Sequence, residues 1–286
     1  MKKREKSGIF TTFLVIFLIT PLLILVPSGK SNAQIWEPEG INMPGGWNSW
    51  TNPPLNNLAL ASSTQVAGGR VIKFSAGIQR WQTIFSVAES GADIVGGSYS
   101  WLFTSGPTGN PWGNKWANVT VAMNTLQTYT KEGSSDNQIT VVNGKWYTMN
   151  FEDAGYMDTR AIFMETTAEP VLLTTVSQPG TVNPGEAVII TLTLNTVPSA
   201  EEVFYLRYSA DAWATSTAIP FNMTGSTGTA QIPGQPADTT VSYYAFSSVI
   251  SGLTDLFDLY TIRLNNNNGT NYNYTVTNPA PVITFA

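Results

Sequence analysis

The clearest candidates for ligand chemistry are two tryptophans, Trp112 and Trp116, four residues apart in the segment GNPWGNKWANV. A flat indole ring offers a large apolar face at little cost in side-chain entropy, and such a face can stack on the C–H face of a pyranose ring. The glycine, asparagine and proline around both residues are typical of surface loops. We therefore predict that Trp112 and Trp116 stack on carbohydrate; burial under a long loop is the alternative.

A run of asparagines supplies a second kind of chemistry that suits a sugar. Residues 265–276 read NNNNGTNYNYTV. An amide donates and accepts hydrogen bonds, as a sugar hydroxyl does, so Asn266, Asn267 and Asn268 are predicted ligand contacts. The alternative is a turn that closes the last hairpin, because asparagine tolerates left-handed backbone and Asn268–Gly269 is a typical turn pair. Both can hold, if neighbours of the turn face outward.

Catalysis has few candidate residues in this chain. It contains no histidine and no cysteine, which excludes a Ser-His-Asp triad, a cysteine nucleophile, disulfides and thiolate metal sites. Glu152, Asp153 and Asp158 are three carboxylates within seven residues. Their spacing lacks the repeat of a calcium loop and predicts a solvated turn. We therefore predict no catalytic residue, no metal site, no cofactor and no enzymatic activity.

The first 33 residues have the three-part pattern of a secretory signal peptide. A basic stretch precedes the apolar run IFTTFLVIFLITPLLILV, and small residues that suit cleavage after Ala33 follow it. An uncleaved membrane anchor is the alternative, because the run is nearly long enough to span a bilayer. Cleavage removes five basic residues and one acidic residue, so the net charge falls from −5 to −9. Nucleic acid and anionic membrane surfaces would repel such a chain; an uncharged polysaccharide would not.

Short strands make up the rest of the chain. Runs of alternating apolar residues recur between Gly, Asn, Asp and Pro, and no segment after the leader keeps a helical period over three turns. The pair Asn143–Gly144, between strand-like flanks, predicts a hairpin. We predict an all-β protein with two immunoglobulin-like β-sandwich domains in tandem. The predicted parts are a signal peptide over 1–33, a Trp-rich domain over 34–169, a second domain over 170–278 and a tail over 279–286.

Tryptophan is concentrated in the first half, where eight of the nine lie between Trp36 and Trp146. A sandwich core uses one or two, so the others need a different explanation, such as a binding surface. Trp81, Trp101 and Trp146 stand inside apolar strands and are predicted core residues.

Part of the first half, the stretch MPGGWNSWTNPP, resembles the opening of glycogen- and starch-binding modules attached to amylase-type enzymes. The matching residues are Gly46, Trp47, Asn48 and Trp50. In that family these residues mainly build the fold, so the match indicates a family rather than a site. Residues 36–168 as a whole resemble, in pattern, starch-binding immunoglobulin-like modules of secreted bacterial proteins.

The second half, over about residues 185–276, resembles bacterial starch-binding modules of carbohydrate-binding families 25 and 26. The residues that match the family pattern are Tyr208, Trp213, Pro220, Met223, Ile232, Tyr244, Phe246, Asn266, Asn267, Gly269, Asn271 and Tyr272. The resemblance implies an α-glucan ligand and makes Trp213 a candidate stacking face. The chain departs from the pattern where Leu264 and Asn265 replace a closing Trp-Asp pair, after the inserted ISGLTDLFDLYTIR. We call residues 250–263 the insertion.

These observations predict a secreted or cell-surface protein that binds carbohydrate without cleaving it, most readily an α-glucan. A catalytic partner protein is compatible with that role, whereas nucleic acid and, after signal cleavage, the membrane are not predicted partners. The alternative from another class is a structural or adhesive surface protein whose sandwiches are spacers or protein contacts. A third interpretation is part of an enzyme whose catalytic domain lies outside this chain.

Overall fold

The computed structural model describes residues 41–52, 80–106, 109–153 and 158–278. The predicted signal peptide with its cleavage site, and the predicted tail over 279–286, lie outside these residues. The described chain is all-β, as predicted, apart from two single 3-10 turns, Gly46–Asn48 and Asn267–Gly269. Among the described residues, no helix has the length and apolar character needed to cross a membrane.

The described part of the first half contains nine strands. They are β1 (Arg80–Val87), β2 (Gly97–Trp101), β3 (Phe103–Ser105), β4 (Asn114–Ala117), β5 (Gln127–Thr128), β6 (Thr130–Lys131), β7 (Asn137–Val141), β8 (Lys145–Asp153) and β9 (Thr159–Thr166). One sheet has the order β1-β8-β9-β5, a second is the pair β2-β7, and a third has the order β3-β4-β6. All of these pairings are antiparallel.

An aromatic core lies inside the first half. Strand β8 alternates, so Tyr147, Met149 and Phe151 all point into this core and are fully buried. Trp81 and Trp101 join them at 1% and 0% exposure, which confirms the prediction for these two tryptophans. Aromatic rings pack edge to face here; the Trp101 and Phe103 centroids, for example, lie 4.5 Å apart.

Trp146 does not belong to that core, although the sequence predicts it there. It is half-buried and its neighbour Tyr147 occupies the core position. Because successive side chains on a strand point to opposite faces, Trp146 lies on the outer face of the sheet. The apolar run around Trp146 marked a strand correctly, but it did not show which face each residue takes.

Asn143–Gly144 forms a turn, but the strands on its two sides do not make a hairpin. Gly144 has a φ of 83°, the left-handed backbone that glycine adopts at little cost. Strand β7 before the turn pairs with β2, and strand β8 after it pairs with β1 and β9. The turn therefore carries the chain from one sheet to another, and the prediction of a hairpin is wrong.

The second half contains nine further strands among the described residues. They are β10 (Leu173–Val176), β11 (Val188–Leu194), β12 (Val203–Ser209), β13 (Thr217–Pro220), β14 (Asn222–Thr224), β15 (Thr227–Ile232), β16 (Thr240–Ser248), β17 (Leu264–Asn265) and β18 (Tyr272–Thr275). One sheet has the order β10-β11-β15-β14. The other has the order β13-β12-β16-β17, with β18 also paired to β16.

These two sheets enclose a second hydrophobic core. On β11, Val188, Ile190, Leu192 and Leu194 are buried and alternate with more exposed residues, the period expected of a half-buried strand. Full burial of one such side chain contributes about 1.5–3 kcal/mol. The facing sheet supplies buried residues from β12 and β16. The change from the first core to the second falls between Phe163 and Val171.

Strands β17 and β18 behave as one edge strand interrupted by a loop. Ala245 of β16 faces Asn265, and Tyr243 of β16 faces Tyr272. Residues 266–271 therefore lie opposite the single residue Tyr244. The predicted turn at Asn268–Gly269 is present, but it bulges out of a sheet edge and does not close a hairpin.

The insertion joins the two halves by packing on the outer face of the sheet β1-β8-β9-β5, which we call the first sheet. Strand β9 is buried on both faces: Ala161 and Phe163 point into the first core, whereas Ile162 and Met164 point away from it. Those two outward residues form a separate buried cluster with Leu259 and Ile262 of the insertion. The outer face that a sandwich usually exposes to water is here covered by the second half.

Candidate functional site

Trp116 lies in the core and does not offer a stacking face. It is 1% exposed on strand β4, and its ring meets that of Phe151 edge to face at 5.4 Å. The glycine and asparagine around it predicted a loop, but the residues at 114–117 form a short strand paired on both sides. The prediction of an exposed Trp116 is therefore wrong.

Trp112 is exposed, as predicted. Its side chain retains 41% of its accessible surface. The loop that carries it is held by local hydrogen bonds, in which Gly113 N donates to Asn110 O at 3.0 Å and Asn52 Nδ2 donates to Pro111 O at 3.2 Å. These bonds fix the backbone on both sides of the indole. Trp112 belongs to a loop of the first half.

Trp213 lies in the loop between β12 and β13 and is half-buried. Its backbone is left-handed, with a φ of 69°, which is uncommon for a bulky residue. Ser209 Oγ holds this conformation by accepting a hydrogen bond from Trp213 N at 2.8 Å. The indole centroid lies 5.7 Å from the ring of Tyr244. The unusual backbone thus places the indole over the outer face of the β12–β16 sheet.

Arg207 lies at the centre of the residues around Trp213. On β12 it faces Tyr244 of β16, and its Nη1 donates to the Tyr244 hydroxyl at 2.9 Å and to Asp258 Oδ1 at 2.8 Å. The guanidinium carbon lies 4.7 Å from the Phe257 ring centroid and 5.6 Å from that of Trp213. Such cation–π contacts are worth about 0.5–2 kcal/mol each.

We call Arg207, Trp213, Tyr244, Phe257 and Asp258 the Trp213 surface. Its one cation and its one carboxylate form an ion pair whose side chains are 12% and 22% exposed. The surface therefore carries no net charge. Tyr244 and Phe257 are 1% and 6% exposed, so a ligand can meet only the Trp213 ring and the polar atoms of the ion pair. A neutral ligand can do so without a charge mismatch.

Sequence reasoning missed Arg207, Phe257 and Asp258. The insertion interrupts the resemblance to the starch-binding modules, and it was interpreted only as a departure from their pattern. It nevertheless contains Phe257 followed by Asp258. An aromatic residue followed by aspartate is the pair that the family pattern places directly before the asparagines, where this chain has Leu264 and Asn265. A second missed signal was the uninterrupted apolar run AIFM at 161–164, which is typical of a strand buried on both faces.

The asparagine loop owes much of its composition to its backbone. Asn267, Asn268 and Gly269 have φ values of 52°, 55° and 94°, a conformation that asparagine and glycine tolerate better than other residues. Asn266 Oδ1 accepts from Gly269 N at 3.1 Å, and Asn267 Nδ2 donates to Asn271 O at 3.3 Å. The amides of Asn266 and Asn267 are thus used within the loop, and Asn268 is the exposed one.

The structure brings two of the predicted elements together. The asparagine loop lies opposite Tyr244 along the edge of β16, and the Trp213 ring packs beside the Tyr244 ring. Trp213 and the asparagine loop therefore both adjoin Tyr244, although they lie more than fifty residues apart in the sequence.

Two substitutions of Asn268 separate its role in the turn from a role in binding. Asn268→Gly keeps the left-handed backbone and removes the amide, so we expect a change in the free energy of unfolding below about 0.5 kcal/mol. Asn268→Ala places a less tolerant residue there, and we expect a loss of about 1 kcal/mol. Urea unfolding measures both. If Asn268 contacts ligand, both variants lose affinity for a malto-oligosaccharide equally; unchanged affinity in both assigns Asn268 to the turn alone.

Glu152 lies within β8 and Asp158 directly precedes β9, and an arginine engages both, so the prediction of a solvated turn is wrong for Glu152. Arg160 forms ion pairs with Glu152 and, at 3.6 Å, with Asp158. Glu152 is 7% exposed, so its pair is largely removed from water. Within the described residues, no group of three or more His, Cys, Asp or Glu side chains is arranged to hold a metal ion. The side chain of Asp153 lies outside the described part.

Two comparisons with known proteins gave no match for this chain. No model of a known protein family matches it, and no curated protein sequence does either. The resemblance of the second half to starch-binding modules thus stays a prediction from residue pattern.

Proposed function

We propose that the protein is a secreted or cell-surface carbohydrate-binding protein without catalytic activity, and that its ligand is a neutral glycan, most readily an α-glucan. The observation that carries the proposal is the half-buried indole of Trp213, held in a fixed orientation beside the charge-neutral pair of Arg207 and Asp258. In this interpretation the two halves are immunoglobulin-like sandwiches, and the second presents the main binding surface.

The chemistry of the Trp213 surface suits a pyranose ring in two ways. The indole face can cover the apolar C–H face of the sugar, as in other aromatic contacts. The partly exposed Arg207–Asp258 pair lies beside the indole, so its polar atoms can meet hydroxyls at the ring edge. Tyr244 is 1% exposed and supports the indole from within the protein. Hydrogen bonds that involve ionised groups are stronger than neutral ones.

Trp112 provides a second, separate contact in this proposal. Because it is exposed on a loop of the first half, it can meet an insoluble polysaccharide that also contacts Trp213. Two weak contacts on one chain raise the overall affinity through effective concentration, provided that both reach the ligand together. Loss of Trp112 should therefore weaken retention on a solid polysaccharide more than binding to a short oligosaccharide.

Replacing Trp213 with alanine tests the proposal directly. We expect Trp213→Ala to weaken binding of a soluble malto-oligosaccharide at least about tenfold, equivalent to about 1.4 kcal/mol, because the stacking face is removed. Isothermal titration calorimetry measures the change. Ile189→Ala is a matched control, since Ile189 is 62% exposed on the other sheet of the second half. Absence of retention on starch, cellulose and chitin at low salt would show that the proposal is wrong.

A structural or adhesive role is the second candidate, and the insertion is the observation that favours it. Buried hydrogen bonds from Gln82 and Asn150 tie the insertion to the first half. A spacer protein needs such a junction, whereas two independent binding modules do not. If the protein binds no glycan and a purified surface protein binds it instead, this second function is supported.

A further inference from the structure

The insertion is tied to the first half by two buried amides. Gln82 Nε2 donates to Thr261 O and to Ile262 O, both at 3.0 Å. Asn150 Nδ2 donates to Leu259 O at 2.7 Å and to Thr261 O at 2.9 Å. The two amides also bond to each other at 2.9 Å. Both lie on the outer face of the first sheet and are at most 5% exposed.

Apolar burial accompanies these hydrogen bonds. Leu259 and Ile262 of the insertion are each 1% exposed and pack with Ile162 and Met164 of β9. Carbonyl groups in such surroundings lose their water, so each one needs an internal donor. The side chains of Gln82 and Asn150 supply those donors to three carbonyl groups of the insertion, those of Leu259, Thr261 and Ile262.

The same insertion also contacts the rest of the Trp213 surface. Phe257 and Asp258, which contact Arg207, directly precede the docked Leu259. A compact turn connects the two groups: Leu259 N donates to Leu256 O at 2.9 Å, and Thr261 Oγ1 donates to Phe257 O at 2.7 Å. Because the turn is hydrogen-bonded internally, a shift of the docked end moves the Phe257–Asp258 end with it.

We propose that Gln82 and Asn150 are positioning residues for the Trp213 surface. Docking of the insertion on the first half fixes Phe257 and Asp258. These two hold the guanidinium of Arg207, and Arg207 with Tyr244 sets the orientation of the Trp213 indole. Residues of the first half thereby determine how the second half presents its stacking face. The proposal rests on the proposed function only where glycan affinity is measured.

The test uses the full chain labelled with 5-fluorotryptophan and observed by fluorine NMR. The Trp213 resonance is assigned by its absence in Trp213→Phe. Gln82→Met keeps a side chain of similar length but removes all three hydrogen bonds of Gln82. We expect it to shift or broaden the Trp213 resonance, to speed hydrogen exchange of the insertion's amides, and to weaken malto-oligosaccharide binding about three- to tenfold. Gln138→Met, at an exposed position of strand β7 in the same half, should leave all three readouts unchanged.

Arg207→Met tests the other end of the same connection. It should shift the Trp213 resonance while exchange of the Leu259 and Ile262 amides stays slow, because the docked end is untouched. Asn150→Leu provides a second disruption of the docked end if Gln82→Met does not fold. An unchanged Trp213 resonance in a folded docking variant whose insertion amides exchange faster would overturn the proposal. A shifted resonance in a protein that binds no glycan would support the positioning role and reject the proposed function.

Discussion

Trp116→Ala is expected to lower the free energy of unfolding by about 3–5 kcal/mol, the usual effect of truncating a large aromatic side chain in a core. Trp116 is 1% exposed and packs against Phe151, so alanine would leave a cavity that the surrounding rings cannot fill. Denaturant unfolding followed by circular dichroism measures the loss. Binding of a malto-oligosaccharide by the folded protein should be unchanged, because Trp116 lies outside every candidate ligand surface.

Trp112→Ala is the matched control, because it removes the same side chain from an exposed position in the same segment. Its expected effect on the free energy of unfolding is within about 0.5 kcal/mol, whereas retention on insoluble starch should fall. The two tryptophans thus separate stability from binding. Equal destabilisation by the two substitutions would contradict the difference in burial on which this prediction depends.

Glu202 is expected to make the stability of the protein depend on pH near neutrality. The residue is 7% exposed and lies beside the segment that joins the two halves, where its Oε2 accepts from Val171 N at 3.3 Å. Its other oxygen is buried without a hydrogen bond. Burial raises the pKa of Glu202 to about 7, although the hydrogen bond from Val171 N and the nearby charge of Arg263 lower it in part. Arg263 is itself paired with Glu169 at 3.7 Å.

The direction in which stability changes with pH depends on whether the folded or the unfolded state binds the proton of Glu202 more tightly. The folded protein protonates Glu202 below about pH 7, whereas the unfolded chain does so only below its ordinary value of 4.5. The contribution of Glu202 to stability is therefore fully present below about pH 4.5 and is lost as the pH rises through about 7. The shift corresponds to roughly 3 kcal/mol.

Glu202→Gln should remove this dependence. Glutamine keeps a carbonyl acceptor for Val171 N and does not ionise, so the variant should be more stable than the natural chain at pH 8 by up to roughly 3 kcal/mol. At pH 4.5 the two should be nearly equal. Urea unfolding at half-unit pH intervals measures the slope. A natural chain whose free energy of unfolding does not fall between pH 5 and 8, relative to Glu202→Gln, would show the prediction to be wrong.

Glu201→Gln is the control for the neighbouring carboxylate. Hydrogen bonds from Thr167 lower the pKa of Glu201, so its contribution to stability is present above the ordinary pKa and is lost only as the pH falls below it. Its replacement should leave the slope between pH 5 and 8 unchanged. The comparison separates the buried carboxyl of Glu202 from the partly exposed carboxyl of Glu201 at the adjacent position.

The strands and their turns could be predicted from the sequence because each depends on neighbours a few residues away. Alternation along β8 and β11 marks half-buried strands. The two Asn-Gly pairs mark turns, since glycine and asparagine tolerate left-handed backbone. Burial of Trp81 and Trp101 follows from the apolar runs that contain them. The absence of histidine and cysteine likewise limits the available chemistry before any fold is known.

The pairing of those strands was beyond such local patterns. Asn143–Gly144 was expected to join two partners, but β7 and β8 lie in different sheets. Trp116 was expected at the surface because its segment is rich in glycine and asparagine, but a sheet of three short strands carries it into the core. Trp146 was expected inside, but it occupies the outer face of its strand. At Asn143–Gly144 and at Trp146 the local element was correct, whereas at Trp116 a strand stands where a loop was expected. In all three cases distant residues set the environment.

By itself, the sequence determined that the chain is all-β and where its turns fall, because backbone preferences act over a few residues. Only the tertiary structure decided which indoles are covered and what surrounds Trp213. The ion pair of Arg207 with Asp258 spans 51 residues, and the hydrogen bond from Gln82 to Ile262 spans 180. Contacts at such separations form only when whole sheets pack together, so no pattern within a short stretch specifies them.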